Sequence, residues 1–186
     1  TGLGLKYNPA CHVLLVIFFV DTLNFILIIG VSGSGKTTVG KTLAKRLMWD
    51  FYDADDFHPS ANITKMAQGI PLNDADRMPW LGRLQQLINT SIAENKPGIL
   101  ACSALKESYR KFLIKDNPGI RIVFLKGSYD LILSRMKIRS DHYMQPNMLE
   151  SQFNTLEEPG NALFVDINQP VEKIVDSIVQ ELSHYF

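Results

Sequence analysis

The sequence predicts an α/β fold in which helices flank a mostly parallel sheet. From Phe25 onward, short apolar runs alternate with segments of helical periodicity, which is the pattern of such folds. The first run, FILII at residues 25–29, is continuously apolar, as expected for a central strand that is buried on both faces. A glycine-rich segment and then a helical pattern follow it directly, which is the order of a strand–loop–helix unit.

The remaining elements follow from the same alternation. Strands are predicted at residues 51–53, 99–102, 122–125 and 163–167, in addition to residues 25–29. Helices are predicted at residues 36–48, 59–68, 74–95, 104–114, 129–138 and 170–183, with Asp74 as the N-cap of the third. Residues 140–147 are predicted to form a mobile loop.

Length and composition indicate one folded domain. The chain has 186 residues, of which 46% are hydrophobic and 20% are charged. Basic and acidic residues both number 19, so the net charge is zero, which argues against a nucleic-acid binder that relies on a broad basic field. The only cysteines are Cys11 and Cys102, which indicates a reducing compartment and predicts a cytoplasmic location.

Residues 1–24 form an extension that stands apart from the domain at residues 25–186. Its apolar run VLLVIFFV, at residues 13–20, is too short to cross a bilayer, which takes about 20 residues. The alternatives are an extra strand, a packed extension, a targeting segment or non-native sequence.

The segment after the first strand matches the P-loop pattern G-x-x-x-x-G-K-[ST] in full. Its glycines let backbone N–H groups approach phosphate oxygens, and the following helix directs its N-terminus at them. The lysine reaches the β- and γ-phosphates, and the following hydroxyl binds Mg²⁺. The predicted nucleotide-binding residues are Gly30, Val31, Ser32, Gly33, Ser34, Gly35, Lys36, Thr37 and Thr38.

The P-loop by itself does not identify the phosphate acceptor. A GTPase needs the base-reading motif N-K-x-D, but the only Asn-Lys pair, Asn95-Lys96, is followed by Pro97-Gly98. A motor ATPase has a strand that ends in an acidic residue, whereas the strand at residues 99–102 is followed by Ser103. The short spacing between helices favours a small-molecule kinase.

Acidic residues follow the second predicted strand. Asp53 and Asp55 are two residues apart on an extended segment, so their side chains point to the same side, at the edge where ligands of parallel sheets bind. One carboxylate is suited to hold hydrated Mg²⁺, and the other to orient or deprotonate an attacking hydroxyl. His58 either contacts the acceptor or caps the next helix.

Cations on two further helices are candidates for binding an anionic acceptor. The guanidinium of Arg77 suits a substrate carboxylate. Lys106 and Arg110 are four residues apart, so a helix would present both on one face near the end of the third strand. The alternative for this pair is a solvated basic face. Cys102 is interpreted as a core residue.

Arg135 and Arg139 precede the predicted loop at residues 140–147. Arginines beside a mobile loop suit a lid that closes over the transferred phosphate, neutralises its charge and excludes water. The alternative is ordinary positive charge at the C-terminus of a helix.

Four segments together resemble the gluconokinase family of shikimate-kinase-like P-loop kinases, over the chain from about Phe25 to the C-terminus. They are GVSGSGKTTVGKTLA, FYDADDFHPSANITKMAQGIPLNDADRMPWL, CSALKESYR, and LKGSYDLILSRMKIRSDHYM together with SQFNTLEEP. The resemblance implies a P-loop NTPase fold of three layers, with a five-stranded parallel sheet in the order 2-3-1-4-5 and a mobile lid.

The resemblance also implies an activity: ATP- and Mg²⁺-dependent phosphorylation of D-gluconate at its 6-hydroxyl, which supplies 6-phosphogluconate to the pentose phosphate pathway. It assigns Asp55 to the reacting hydroxyl, and Thr37 and Asp53 to Mg²⁺. The gluconate side would comprise His58, Arg77, Lys106 and Arg110, and the lid arginines would be Arg135, which also contacts ATP, and Arg139. No membrane or nucleic-acid partner is expected, and a homodimer is left open.

Two alternatives are retained. One is a kinase for another small sugar acid or a polyol. The other is a protein that binds ATP without transferring phosphate, which is suggested by Asp141 in the lid and by the short segment between Pro159 and the last strand.

Overall fold

The structure, a computed structural model, describes residues 23–115, 117–138 and 146–185. Almost all of the predicted extension lies outside these residues, so the division at residues 24 and 25 stays a prediction. Leu23 and Asn24 are described, and their N–H groups donate to the carbonyls of Tyr185 and Gly119 at 2.8 and 2.9 Å. Most of the predicted lid, including Arg139 and Asp141, also lies outside the described residues.

Five parallel strands form one sheet with the order β2-β3-β1-β4-β5, which confirms the predicted architecture. The central strand β1 pairs with β3 on one side and with β4 on the other. The carboxyl ends of all the strands therefore lie at one edge, where ligands of such sheets bind. The strands are β1 Phe25–Ile29, β2 Asp50–Asp53, β3 Gly98–Ala101, β4 Ile120–Lys126 and β5 Leu163–Asp166.

Seven α-helices are described, together with 3₁₀ turns at Ala54–Phe57 and Ser183–Tyr185. Within the described ranges, none of the helices is both long enough and apolar enough to cross a membrane. They are α1 Lys36–Leu47, α2 Ser60–Ala67, α3 Asp74–Ala93, α4 Glu107–Ile114, α5 Tyr129–Ile138, α6 Pro146–Thr155 and α7 Val171–Leu182.

The alternation of β1 side chains divides the core into two parts. Because successive strand residues point to opposite faces, Ile26 and Ile28 face one layer of helices, and Phe25, Leu27 and Ile29 face the other. The first layer includes α1, α6 and α7, and the second is built from α3 and α4. The buried helix residues of the first layer include Val39, Leu43, Leu149, Ile174 and Ile178, and those of the second include Trp80, Leu84, Ile88, Tyr109 and Leu113.

One predicted N-cap and one predicted helix start are wrong. The third helix is capped by Asn73, whose side chain accepts from the N–H of Asp76 while the Asp76 carboxylate accepts from the N–H of Asn73. Asp74 is instead the first helical residue. The fourth helix begins at Glu107, because Ala104 has a left-handed φ of 37° that a helix cannot accommodate.

The helix α6 was not predicted, because its first residues belong to a segment with mixed charge and a proline, which is typical of a loop. Its first residue is Pro146, which suits the first turn of a helix. Leu149 of this helix is fully buried against the first layer. Phe153 packs beside it on Tyr129, and two apolar contacts in one short helix give too weak a periodicity to be recognised in sequence.

We expect Leu43→Ala to lower the free energy of unfolding by about 2–5 kcal/mol, because it leaves a cavity between α1 and the sheet. Urea denaturation at constant slope would measure the loss. Met48→Ala, five residues further on, is the control: Met48 is 92% exposed, so the change should stay within about 0.5 kcal/mol. Similar losses in both variants would contradict the assignment of Leu43 to the core.

Candidate active site

The P-loop follows β1 and wraps the start of α1. Gly30 has a φ of 146°, and a Cβ there would lie 2.9 Å from the carbonyl oxygen of Leu125, so only glycine fits. Gly35 has a φ of 94° and precedes the first helical residue, Lys36. The free N–H groups at the start of α1 are thereby available to phosphate oxygens.

The Lys36 ammonium donates to the carbonyl of Val31 within the loop, at 3.0 Å. Burial lowers the pKa of Lys36, and the nearby Asp55 and Asp53 carboxylates oppose that shift. Phosphate groups in the loop would favour the charged form for the same reason as these carboxylates do. Lys36 is therefore held at the loop and is electrostatically coupled to the acids after β2.

One hydrogen bond joins the P-loop to the acidic segment. The Thr37 hydroxyl donates to Asp53 Oδ2 at 2.8 Å, and the other oxygen of that carboxylate accepts from the N–H of Asp55 at 3.2 Å. These two hard oxygen ligands suit Mg²⁺, which commonly binds one or two protein oxygens and completes its shell with phosphates and water. The donor set after β1 and β2 therefore fits the predicted metal.

Asp55 presents its carboxylate to solvent at the open edge of the site, with 90% of the side chain exposed. Burial of the surrounding region and then the Asp53 carboxylate raise the pKa of Asp55, while Lys36 and His58 lower it. Water screens much of this shift because the carboxylate is so exposed. The position allows Asp55 to meet an incoming hydroxyl.

His58 lies behind Asp55 and is almost fully enclosed, with 7% of its side chain exposed. Its ring stacks on Trp80 with a centroid separation of 4.5 Å and an interplanar angle of 9°. Its Nε2 is 3.9 Å from Asp55 Oδ1, and its Nδ1 is 3.4 Å from the side-chain nitrogen of Asn62. Burial lowers the pKa of His58, with Asp55 opposing and Arg77 adding to the effect.

A second charged cluster lies between the N-termini of α3 and α4. Both oxygens of Asp74 accept from the Lys106 ammonium at 2.8 Å, and one accepts from the Tyr109 hydroxyl. Arg77 lies 3.6 Å from the same carboxylate and donates to the Tyr109 hydroxyl at 3.4 Å. Hydrogen bonds from Lys106 and then Tyr109 lower the pKa of Asp74. Two predicted acceptor-side cations, Arg77 and Lys106, are thus brought together around one carboxylate.

Arg110 does not share the exposed position of Lys106. It is 1% exposed, and its guanidinium donates to the carbonyls of Ala104 and Leu105 and to the Glu107 carboxylate. All three of its nitrogens are engaged in these bonds. In the described structure, this side chain secures the turn between β3 and α4.

Arg135 lies on α5 and donates to the carbonyl of Ile167 at 2.6 Å. Ile167 follows β5, so this contact is at the same edge of the sheet as the P-loop. The predicted contact of Arg139 with the transferred phosphate stays a prediction, because that residue lies outside the described ranges.

Cys102 follows β3 and is buried, as the sequence predicted. Burial raises the pKa of its thiol to about 12. It is therefore a neutral core residue at physiological pH and not a nucleophile.

The comparisons with known proteins agree with this geometry. The profile of the shikimate kinase family matches residues 32–183. The probable gluconokinase of Mus musculus is 41% identical over 177 residues, which cover 84% of this chain and 96% of the mouse protein. The thermoresistant gluconokinase of Escherichia coli strain K12 is 45% identical over 158 residues, which cover 83% of this chain and 90% of that protein. This chain belongs to the gluconokinase family.

A crystal structure of a gluconokinase from Sinorhizobium meliloti 1021 has the same fold, with a TM-score of 0.78 and 39% sequence identity. The match covers 87% of this chain and 92% of that one. The fold that carries this site is therefore shared with a gluconokinase over most of both chains.

Sequence reasoning missed several residues that shape this site. Gln152 of α6 accepts from the N–H of Ser32 at 2.7 Å and donates to the Ser32 hydroxyl at 3.1 Å, which ties the P-loop to the helix after the lid. Glu157 accepts from the N–H of Glu107 at the start of α4. Tyr109 and Asn62 complete the two acceptor-side clusters. All four residues lie in the segments that resemble the gluconokinase family, which could have marked them as site residues. Their roles depend on contacts between distant parts of the chain.

The segment at residues 159–161 leads from Glu158, whose carboxylate pairs with Lys126 at the carboxyl end of β4, to Leu163 at the start of β5. Its shortness was one of the two observations behind the alternative of a gluconokinase-family protein that binds ATP without catalysis. That alternative stays open until phosphate transfer is measured.

We expect Arg110→Met and Lys106→Met to separate structural from acceptor-side roles. Arg110→Met leaves two backbone carbonyls and a carboxylate without their donor, so the free energy of unfolding should fall by about 3 kcal/mol in urea denaturation. Lys106→Met should cost less than about 1 kcal/mol, because Asp74 is 60% exposed and stays solvated. Equal losses would contradict this distinction.

Proposed function

We propose that this protein is a gluconokinase that transfers the γ-phosphate of ATP to the 6-hydroxyl of D-gluconate, giving 6-phospho-D-gluconate and ADP. The observation that carries the proposal is the hydrogen bond from Thr37 to Asp53, which joins the phosphate-binding loop to the segment that carries Asp55, since the N–H of Asp55 donates to the same carboxylate. Membership of the gluconokinase family identifies the acceptor. The product is a substrate of the pentose phosphate pathway.

ATP and Mg²⁺ fit the residues after β1 and β2. The P-loop N–H groups and Lys36 would hold the phosphates, and Arg135, which is bonded to Ile167 at the carboxyl end of β5, suits the nucleotide. Thr37 and Asp53 would hold Mg²⁺, which when bound neutralises phosphate charge.

The cluster around Asp74 supports an anionic acceptor. In the described structure, the Asp74 carboxylate engages Lys106, Tyr109 and Arg77. A substrate carboxylate has the same charge and geometry, so it can take some of these donors in place of Asp74. We propose that gluconate binds with its carboxylate toward this cluster and its 6-hydroxyl toward Asp55.

The proposed reaction is a direct in-line transfer. Asp55 orients the 6-hydroxyl and accepts its proton as the new oxygen–phosphorus bond forms and the bond to the β–γ bridging oxygen breaks. Lys36 stabilises the negative charge on the transferred group and on the departing ADP. Arg135 and Arg139 are proposed to add positive charge from the lid.

A coupled ADP-release assay tests the proposed function. With ATP and Mg²⁺ present, we expect D-gluconate to stimulate ADP release far more than shikimate, glycerate or no acceptor. Stimulation by another sugar acid or a polyol alone would move the assignment to that acceptor. ATP binding without release for any acceptor would indicate a protein that has lost catalysis.

Lys36→Ala and Asp55→Asn should each reduce kcat by a factor of about 100 or more, the usual effect of removing a charge-stabilising or proton-accepting group. Asp55 is exposed, and Lys36 makes one hydrogen bond within the loop and lies outside the apolar core, so the circular dichroism spectrum and the urea midpoint should change little. Near-normal turnover in either variant would refute the role assigned to that residue.

Arg77→Lys should raise the KM for gluconate by about tenfold, because a lysine cannot reproduce the guanidinium fork toward a carboxylate. The KM for ATP should be unchanged, since Arg77 lies on the acceptor side. Arg46→Lys is the control, because Arg46 is exposed in the last turn of α1 and pairs with Asp176 on α7. A changed KM for ATP with an unchanged KM for gluconate would contradict this orientation of the acceptor.

A further inference from the structure

The side chain of Asn62 has only one amide orientation that satisfies its surroundings. Asn62 is 4% exposed, and its side-chain nitrogen lies 2.9 Å from the backbone carbonyl of Asp76. A carbonyl oxygen can only accept a hydrogen bond, so the amide nitrogen and not the amide oxygen must face it. The orientation of Asn62 is therefore set by the backbone of α3.

The same amide nitrogen faces Nδ1 of His58 at 3.4 Å. An amide nitrogen is purely a donor, so Nδ1 must be the accepting, unprotonated nitrogen of the imidazole. The proton of the neutral ring is then on Nε2. The burial that lowers the pKa of His58 also favours this neutral ring.

The ring is also fixed in direction. It stacks on Trp80, whose indole N–H donates to the carbonyl of Ala54 at 2.7 Å, next to Asp55 in the chain. Nε2 lies 3.9 Å from Asp55 Oδ1, beyond hydrogen-bond distance, and the exposed Asp55 side chain is free to rotate toward it. A neutral histidine is thus directed at the carboxylate that faces the acceptor.

We infer that His58 is a positioning residue: Asn62 fixes its Nε2–H tautomer, and this N–H holds one oxygen of Asp55 so that the other oxygen faces the acceptor hydroxyl. The inference rests on the proposed function for Asp55. It assigns Asn62 a role at a distance from the substrate, through the ring of His58.

Nitrogen-15 NMR of the histidine rings tests the tautomer without any assay of activity. The chain has four histidines, and the signal absent from the His58→Gln spectrum identifies His58. At pH 7.5 we expect a neutral ring protonated at Nε2. In Asn62→Ala this preference should be lost, whereas Asn89→Ala, an exposed change on α3, should leave it intact. A ring protonated at Nδ1 in the unaltered protein would overturn the inference, and it would leave the proposed function untouched.

Two substitutions at His58 test the role of each ring nitrogen. His58→Gln places an amide N–H near the position of Nε2, whereas His58→Asn retains a polar atom only near Nδ1. We expect His58→Asn to lower kcat about 10- to 100-fold, as for loss of a hydrogen bond to a charged group, with little change in the KM for gluconate. His58→Gln should retain most of the activity. Equal losses in the two variants would overturn the inference.

A double-mutant cycle with Asp55→Asn separates action through Asp55 from direct contact with gluconate. If His58 acts through Asp55, His58→Asn should cause little further loss of kcat in the Asp55→Asn background. A full additional loss, or a raised KM for gluconate with unchanged kcat, would place His58 on the substrate and refute the positioning role. Failure of all gluconate turnover in the unaltered protein would refute the proposed function instead, and the NMR result would still stand.

Discussion

The pairing of β1 with strands on both sides is the constraint on which the site depends. β1 is fully buried, and its register sets Ile28 opposite Ala101 of β3 and Ile29 opposite Phe124 of β4. The loops that leave these strands therefore begin at the same level of the sheet. Because β2 pairs with β3 in the same direction, the acids after β2 reach the P-loop as well.

Two short polar connections convert this shared edge into a site. The Thr37–Asp53 bond joins the phosphate side to the acidic segment, and the stack of His58 on Trp80 joins that segment to α3. The first of these contacts is exposed to solvent, whereas the second is enclosed and so holds its geometry better than an exposed contact does. The exposed carboxylate of Asp55 lies on the segment that joins the phosphate side of the site to the acceptor side.

Local patterns predicted the order of the elements because each depends on neighbours in the chain. The predicted bounds of β1, α1 and α5 are correct or nearly correct, because an apolar run, the P-loop glycines and a helical period respectively mark them in the sequence. The errors arose where distant groups decide. Arg110 binds the carbonyls of Ala104 and Leu105 in the turn before α4. The helix α6 depends on the packing of Leu149 and Phe153 and on the bond between Gln152 and Ser32.

The sequence alone determined that a phosphate-binding loop precedes a helix and that acids, a histidine and several cations follow the strands, since these features are local or family-like. It could not determine which of the cations are exposed and so available to bind an acceptor. Lys106 and Arg110 are equivalent by spacing, yet one stays partly exposed beside Asp74 and the other is buried among backbone carbonyls. Only the tertiary structure decides this, because burial and hydrogen-bond partners come from residues far apart in the chain.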